Sequence, residues 1–332
     1  MKSILGIGNA VTDIVCDIPD NSFLARMQLS PGGMTHIDGE RAGRIASMLD
    51  GIRTISIPGG SSANTVAAAS LLGMRCGFVG KVGHDPMGDE YLYDLKQNGV
   101  FPHLYRGNLP SAGSMAFVSG ADGERTVATY LGAALELGVE EIVPELFDNY
   151  NFLHIEGYLL QCNGVVEKAM EIATERGMTI SFDLGSCNMV EKYAPLLHRL
   201  VNEYVDILFA NEAEALSFTG KGGEAASKAI SGMGHGKTAV VKLGEEGSVV
   251  CRGEELYRIE AVAANVVDTI GAGDAYAAGF LCAHSLGAPL HICGRAGAIL
   301  ASHVVSAVGP KIGKSRREEV KKALGDYLEI KD

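Results

Sequence analysis

The sequence predicts an α/β protein: a doubly wound core on a mostly parallel sheet, with a small β-sheet lid. Three observations carry this. Short, nearly continuous apolar runs alternate with stretches of helical spacing over most of the 332 residues. Runs apolar on both faces suit strands buried within a parallel sheet. Two stretches, 12–38 and 104–132, break that rhythm and read as short strands joined by turns, with no place in a strand–helix–strand order. Glycine is in excess, with 43 residues against roughly 7% of an average chain, which calls for many tight turns or close backbone approaches.

In chain order the strand runs are SILGIG (3–8), CGFVG (76–80), FLHIEG (152–157), MTISFDL (178–184), VDILFAN (205–211) and TAVVKLG (238–244). Helical spacing fills 62–72, 86–98, 163–176, 191–200, 212–219, 223–232, 273–286 and 290–305. The expected division is a core of 1–11, 39–103 and 133–332, and a lid of 12–38 and 104–132. Within the second lid stretch, ADGE at 121–124 is a hairpin signal between alternating segments.

Composition excludes some functions. A formal charge of −12 and the absence of Trp argue against a binder of nucleic acid, which needs clustered cations and stacking faces. No apolar run approaches the ~18 residues of a membrane span. Asp13 and Asp17 interrupt the apolar start, so no signal peptide is expected. The seven cysteines are scattered without a CxxC pair and read as buried free thiols in a reducing cytoplasm. The nine histidines show no metal-binding spacing.

Three glycine motifs are set aside. GIGNAV (6–11) lacks the third glycine of a dinucleotide fingerprint. SGMGHGKT (231–238) has Ser231 where a P-loop has its first glycine, and a strand, not a helix, follows Lys237. KGG (221–223) reads as a loop. The fourth is different. In VVDTIGAGDAYAAGF (266–280), Asp268 and Thr269 end an extended stretch, Gly271 to Gly273 turn sharply, and Asp274 enters a helix of small residues. A helix start offers unpaired amides and a positive dipole end to an anion. An aspartate beside such a site either stabilises the helix start or accepts the proton of an attacking hydroxyl. As a helix-start carboxylate it should have a low pKa and be a feeble base.

DTIGAGD resembles the DTxGAGD signature of the ribokinase (PfkB-type) family of carbohydrate and nucleoside kinases. The resemblance extends in order to GIGNAVTDIV, GGSSAN (59–64), GKVGHDPMG (80–88), NEAE (211–214) and VKLGEEG (241–247), covering nearly the whole chain. It implies a three-layer αβα core with a small β lid, ATP and Mg²⁺ as cofactors, and transfer of the γ-phosphoryl to an alcohol. By the same resemblance Asp274 is the base, and Gly271, Ala272 and Gly273 form the anion hole. Asn211 and Glu214 would help hold Mg²⁺ through water, although Asn followed by Glu at this spacing is also a capping box. Gly244, Gly247 and Thr269 would border the nucleotide. Lys242 stands where many members have Thr, and is either a phosphate contact or a solvated strand-end lysine. Asp268, with carbonyls near Ile270 and from 302 to 309, resembles the family's monovalent-cation (K⁺) site.

Asn9, Asp13, Gly59, Gly60, Ser61 and Asn64 match positions that hold sugar hydroxyls, and Asn64 alternatively caps a helix. GERTVATYLGAA (123–134) and EGYLL (156–160) are most similar to the adenosine-kinase branch. That likeness implies that Arg125 swings over the transferred phosphate and that Tyr158 stacks on a purine; a surface charge and a core-edge tyrosine are the plainer readings. Acceptors open to the chain are adenosine, ribose, a ketose or a deoxy-sugar acid, and a non-catalytic sugar- or nucleoside-binding protein on the same fold is the alternative class. Open lid edges can pair between copies, so a homodimer through the lid is one assembly the pattern allows.

Overall fold

The computed structural model describes residues 2–20, 22–119, 125–325 and 327. β1 (Ser3–Ile7) opens the chain and leads into β2 (Val11–Ile18), α1 (Ser22–Arg26), β3 (Met34–His36), α2 (Gly39–Met48) and β4 (Thr54–Pro58). Next come α3 (Ser61–Leu71), β5 (Arg75–Val82), α4 (Pro86–Gln97), β6 (Val100–Arg106), β7 (Ala112–Ser119) and β8 (Arg125–Tyr130). β9 (Phe152–Glu156), α5 (Val165–Glu175), β10 (Thr179–Asp183), α6 (Cys187–Lys192) and α7 (Ala194–Glu203) follow. β11 (Ile207–Asn211), α8 (Glu212–Thr219), α9 (Gly223–Ser231) and β12 (Thr238–Lys242) continue the alternation. A hairpin of β13 (Ser248–Arg252) and β14 (Glu255–Ile259) precedes α10 (Ala272–Ser285), α11 (Leu290–Val305) and α12 (Arg317–Gly325).

The large sheet has the order β14-β13-β12-β11-β10-β9-β1-β5-β6, parallel except for the β13–β14 hairpin. Its inner strands, β1, β5 and β9 to β13, bury both faces, as their continuous apolar runs require, while the edge strands β6 and β14 are partly exposed. Phe152, Phe209 and Val240 point to a layer of α3, α4, α10, α11 and α12. Their neighbours Leu153, Leu208 and Val241 point to the opposite layer of α5, α7, α8 and α9. This is the expected three-layer αβα core. Every cysteine is a free thiol and six of the seven are buried. No helix among the described residues is long and apolar enough to cross a membrane.

The second sheet has the order β3-β8-β7-β2-β4. Cys16, Ile18, Met115, Phe117 and Ala128 face one way, onto Leu24 of α1 and Ile45 of α2, and form a separate small core. Strand alternation turns Asp13 to the other side. The edges of this sheet are β3 and β4, and one of its faces is covered within the chain by α1 and α2.

The boundary between the sheets falls elsewhere than the sequence suggested. Residues 39–58 belong with the small sheet, because β4 pairs antiparallel with β2 and α2 packs Ile45 into the small core. β4 is an edge strand with exposed Thr54, Ile55 and Ser56, so it lacks the apolar run that marks a buried strand. β6 extends the large sheet through Arg106, pairing in parallel with β5, so 104–106 are core rather than lid. The β13–β14 hairpin and α12 were not anticipated. The ADGE signal lies outside the described residues.

GKVGHDPMG is explained as architecture. Asp85 caps α4 by accepting from Gly88 N (2.8 Å), and it also takes Ser111 N (2.7 Å) and Ser111 Oγ (2.6 Å), fastening the entry to β7 against the core. SGMGHGKT is a tight helix-to-strand connection with Lys237 buried and β12 following at once.

Candidate active site

Parallel strands bring their carboxyl ends to one edge, and in open α/β sheets ligands bind there. At that edge Glu156 ends β9, Asp183 ends β10, Asn211 ends β11 and Lys242 ends β12. Glu156 lies beside Asp183, and Asn211 beside Lys242, in the strand register. Above them the N-termini of α3 and α10 meet.

α10 starts at Gly271, whose φ of 76° is left-handed. A Cβ there would also lie 2.7 Å from Pro310, so only glycine fits. Ala275, Ala277, Ala278 and Gly279 let the helix bury nearly all round and pack closely on α11 and α3. Asp274 sits in the first turn. Its Oδ1 accepts from Ser61 Oγ (2.7 Å), its Oδ2 from Asn64 Nδ2 (3.0 Å), and its carbonyl from Thr65 Oγ1 (3.3 Å). All three partners are in α3, more than 200 residues away in sequence. Burial pushes the carboxyl up to about 6, against the opposing hydrogen bonds from Ser61 and Asn64. The expected low pKa is therefore corrected. The helix-start effect is worth a few tenths to about 1 kcal/mol, and desolvation of a carboxylate outweighs it.

The start of α3 is built on Gly60, which has φ 93° and backs onto the Asn9 carbonyl so closely that any Cβ would collide with it. Glu156 ties the same two turns together. Its Oε1 accepts from Asn9 N (2.9 Å) and its Oε2 from Ser62 N (2.7 Å), and burial pushes its carboxyl up to about 7. Gly60→Ala should therefore lose about 2 kcal/mol or more from left-handed strain plus the backbone collision. The check is the denaturant midpoint; an unchanged midpoint would show that the turn relaxes freely.

Asp13 leans over Gly59, where a Cβ would stand 2.5 Å from its Oδ2. Its pKa rises to about 6 through burial and the nearby Asp274 charge, while Lys311 draws it down. Lys311 is itself ion-paired with Asp94. Asn9 is buried, and neither polar atom of its side-chain amide meets a partner among the described residues. Tyr158 follows β9. Its hydroxyl donates to Gly185 O (2.7 Å) and its ring lies against Gly185, which fixes the ring in place. Arg125 opens β8 opposite Val118, but its side chain lies outside the described residues.

On the other flank, Asn211 and Glu214 form a reciprocal cap. Glu214 N donates to Asn211 Oδ1 (2.8 Å), while Asn211 N and Nδ2 donate to Glu214 at 2.8 and 2.7 Å. Glu214 is pushed up to about 7 by burial and by the Asp183 charge. Lys242 is no solvated strand-end lysine. Its Nζ donates to Asp183 Oδ2 at 2.8 Å, and its side chain is 15% exposed. Burial opposes its charge, but Asp183, Glu214 and Asp274 together hold the ammonium above its ordinary value. Gly244 and Gly247 frame the turn after β12, with Gly247 pressed against the Ile259 carbonyl. Thr269 is exposed, and its carbonyl accepts from Ala272 N (3.2 Å). Asp268 is buried and bridges two loops, accepting from Ile270 N (3.1 Å) and Gly309 N (3.0 Å).

Sequence reasoning missed Glu156, Asp183 and Lys311. A signal existed for the first two: each is an acid ending an otherwise apolar buried strand, and acids are almost never buried without a task. Lys311 left no local signal.

Comparisons with known proteins identify the family and the fold. A family model described as pfkB family carbohydrate kinase matches residues 48–316. A nucleoside kinase of Methanothermobacter thermautotrophicus is 31% identical over 265 residues, 77% of this chain and 81% of the relative. The structure of a probable sugar kinase from Rhizobium etli superposes with a TM-score of 0.86 at 34% identity, covering 97% of this chain and 98% of that one. An adenosine kinase from Sinorhizobium meliloti gives a TM-score of 0.85 at 35% identity over 97% and 99% of the two chains.

Proposed function

The chain belongs to the pfkB carbohydrate kinase family, phosphotransferases with an alcohol acceptor, and on that premise we propose that it transfers the γ-phosphoryl of ATP to the hydroxymethyl group of a nucleoside, with adenosine the first acceptor. The observation that carries the reading is the Asp274 carboxylate, raised to about 6 and held by Ser61 and Asn64 beside the unpaired start of α10. A carboxylate oxygen has lone pairs to spare when it accepts one hydrogen bond, so Asp274 can take the hydroxyl proton without releasing Ser61 or Asn64. As the acceptor oxygen bonds to Pγ, the bond from Pγ to the bridging oxygen breaks and ADP departs with that oxygen. The first-turn amides of Gly273 and Asp274 would face the charge on the migrating group, Ala272 N being taken by the Thr269 carbonyl, and phosphoryl transfer needs little beyond such positioning and electrostatics.

Asp13, Asn9 and the Gly59–Gly60 turn would hold the acceptor's hydroxyls. The unpartnered amide of buried Asn9 suits that task, because a buried polar group without a partner is costly. The fixed ring of Tyr158 offers a face to a purine, and Arg125 would close over the phosphates. Glu214 and Asp183 crowd their negative charge together, an arrangement that fits a divalent cation. Mg²⁺ held there through water would neutralise charge on the nucleotide phosphates. The loops joined by Asp268 would frame a K⁺ site. Asp13, with no direct ion pair among the described residues, also suits a bare sugar, so ribose or a ketose is the second reading.

The test is ADP release with ATP, Mg²⁺ and a panel of nucleosides and sugars. Adenosine is expected to give the highest kcat/KM. A sugar exceeding it tenfold would favour the second reading, and silence across the panel would replace the kinase by a binding protein on the same fold.

A further inference from the structure

Lys242 is the cation of this site whose placement goes beyond holding a strand end. Its Nζ has three protons to donate. Only the bond to Asp183 Oδ2 uses one of them among the described residues. The ammonium lies against the start of α10: a Cβ placed on Gly273 would stand 3.0 Å from Nζ. Ala272 N is taken by the Thr269 carbonyl, while Gly273 N and Asp274 N, in the first turn, have no acceptor one turn earlier in the helix. The ammonium and the first-turn amides of Gly273 and Asp274 therefore lie at the same helix start. As a stabilising device the ion pair explains little, since a buried pair can be replaced by apolar groups of similar volume at no loss. The charges of Asp183, Glu214 and Asp274 hold this ammonium protonated in spite of its burial, so its remaining protons are there to donate to an anion.

We propose that Lys242 is a catalytic residue whose ammonium hydrogen-bonds a non-bridging oxygen of the phosphoryl group as it passes from donor to acceptor, with Asp183 the positioning residue that aims it at the Gly273 turn. This rests on the kinase reading and deepens it. Lys242 moves no proton; the acceptor's proton goes to Asp274, and the bridging oxygen leaves with ADP. The ammonium compensates charge on the equatorial oxygens, which is greatest in the transition state. It also bonds the γ-group of bound ATP and has no counterpart in ADP.

Lys242→Met, and Lys242→Gln in case Met disturbs folding, should lower kcat about 100- to 1000-fold, the effect of losing one preorganised donor at a developing charge. Affinity for the β,γ-methylene analogue of ATP should fall about tenfold, worth ~1.4 kcal/mol, with ADP affinity changed less than twofold. The charge-balanced double variant Lys242→Met with Asp183→Asn should regain the wild-type thermal midpoint yet stay more than tenfold down in kcat. A purely structural lysine predicts the reverse: analogue and ADP affinities falling together, or Lys242→Gln keeping turnover within tenfold of wild type. Either result overturns the assignment. Absence of any phosphoryl transfer by the unaltered protein would instead defeat the kinase reading itself.

Discussion

Asp274→Asn is expected to lower kcat by about 1000-fold on the best acceptor while leaving the thermal midpoint unchanged or raised. The first half follows from removing the proton acceptor, a contribution of roughly 10²–10⁴ for general-base catalysis. The second follows from the hydrogen bonds. An asparagine at 274 can present its oxygen to Asn64 Nδ2 and its NH₂ to Ser61 Oγ, because a hydroxyl accepts as readily as it donates. Both bonds survive, and a buried charge is gone. The wild-type rate should carry an acid limb near pH 6, since burial raises the Asp274 carboxyl to about 6 and the protonated acid cannot act as a base. Below that limb kcat/KM should fall at least tenfold per pH unit, and the variant should show a shallower limb that retains only the share of Asp13, also raised to about 6. Steady-state rates from pH 5 to 8 decide the matter: turnover within tenfold of wild type removes Asp274 from the chemistry.

The start of α10 was readable because its signals are local: a glycine pair, an aspartate and a small-residue helix stand next to one another in the chain. What holds that aspartate was not. Ser61 and Asn64 lie 213 and 210 residues away, and nothing at either place announces the other. Glu156 shows the same limit. FLHIEG read correctly as a buried strand, but the amides that use its acid belong to Asn9 and Ser62, 147 and 94 residues distant. The sign of the Asp274 shift was misread for a related reason, because a helix start is local and burial is not. Lid boundaries failed where an edge strand lacks an apolar run: β4, with Thr54 and Ser56 exposed, looks like a loop until β2 is seen beside it. Most strands buried on both faces and most helices of regular spacing were legible in the core, β13 and α12 excepted, since their patterns are dictated by two periodicities that need no partner to be visible.

Glu156→Gln should change stability in a strongly pH-dependent way. The folded carboxyl is raised from 4.5 to about 7, chiefly by burial. A group raised on folding gives stability that is complete below its unfolded value and is lost as pH rises through its folded value. In the wild type this loss runs from about pH 4.5 to about pH 7, and at 1.36 kcal/mol per pKa unit it amounts to about 3 kcal/mol. Glutamine cannot ionise, so it escapes the loss. It has a cost of its own: with one oxygen for two amides, it leaves Asn9 N or Ser62 N facing an NH₂ group, about 1–3 kcal/mol at any pH. Asp13, Glu214 and Asp274, also raised, and His154, lowered to about 4 by burial, titrate in both proteins and largely cancel in the difference. The Asp274 and Asp183 charges that face Glu156 enter only through that coupling. The variant should therefore be the less stable protein at pH 5 and should match or exceed the wild type at pH 8. Denaturant unfolding without ligands at the two pH values measures this directly. A variant–wild-type difference constant to within about 0.5 kcal/mol would mean that the carboxylate is already charged at pH 5, and that the clasp between the Asn9 turn and α3 carries no stored repulsion.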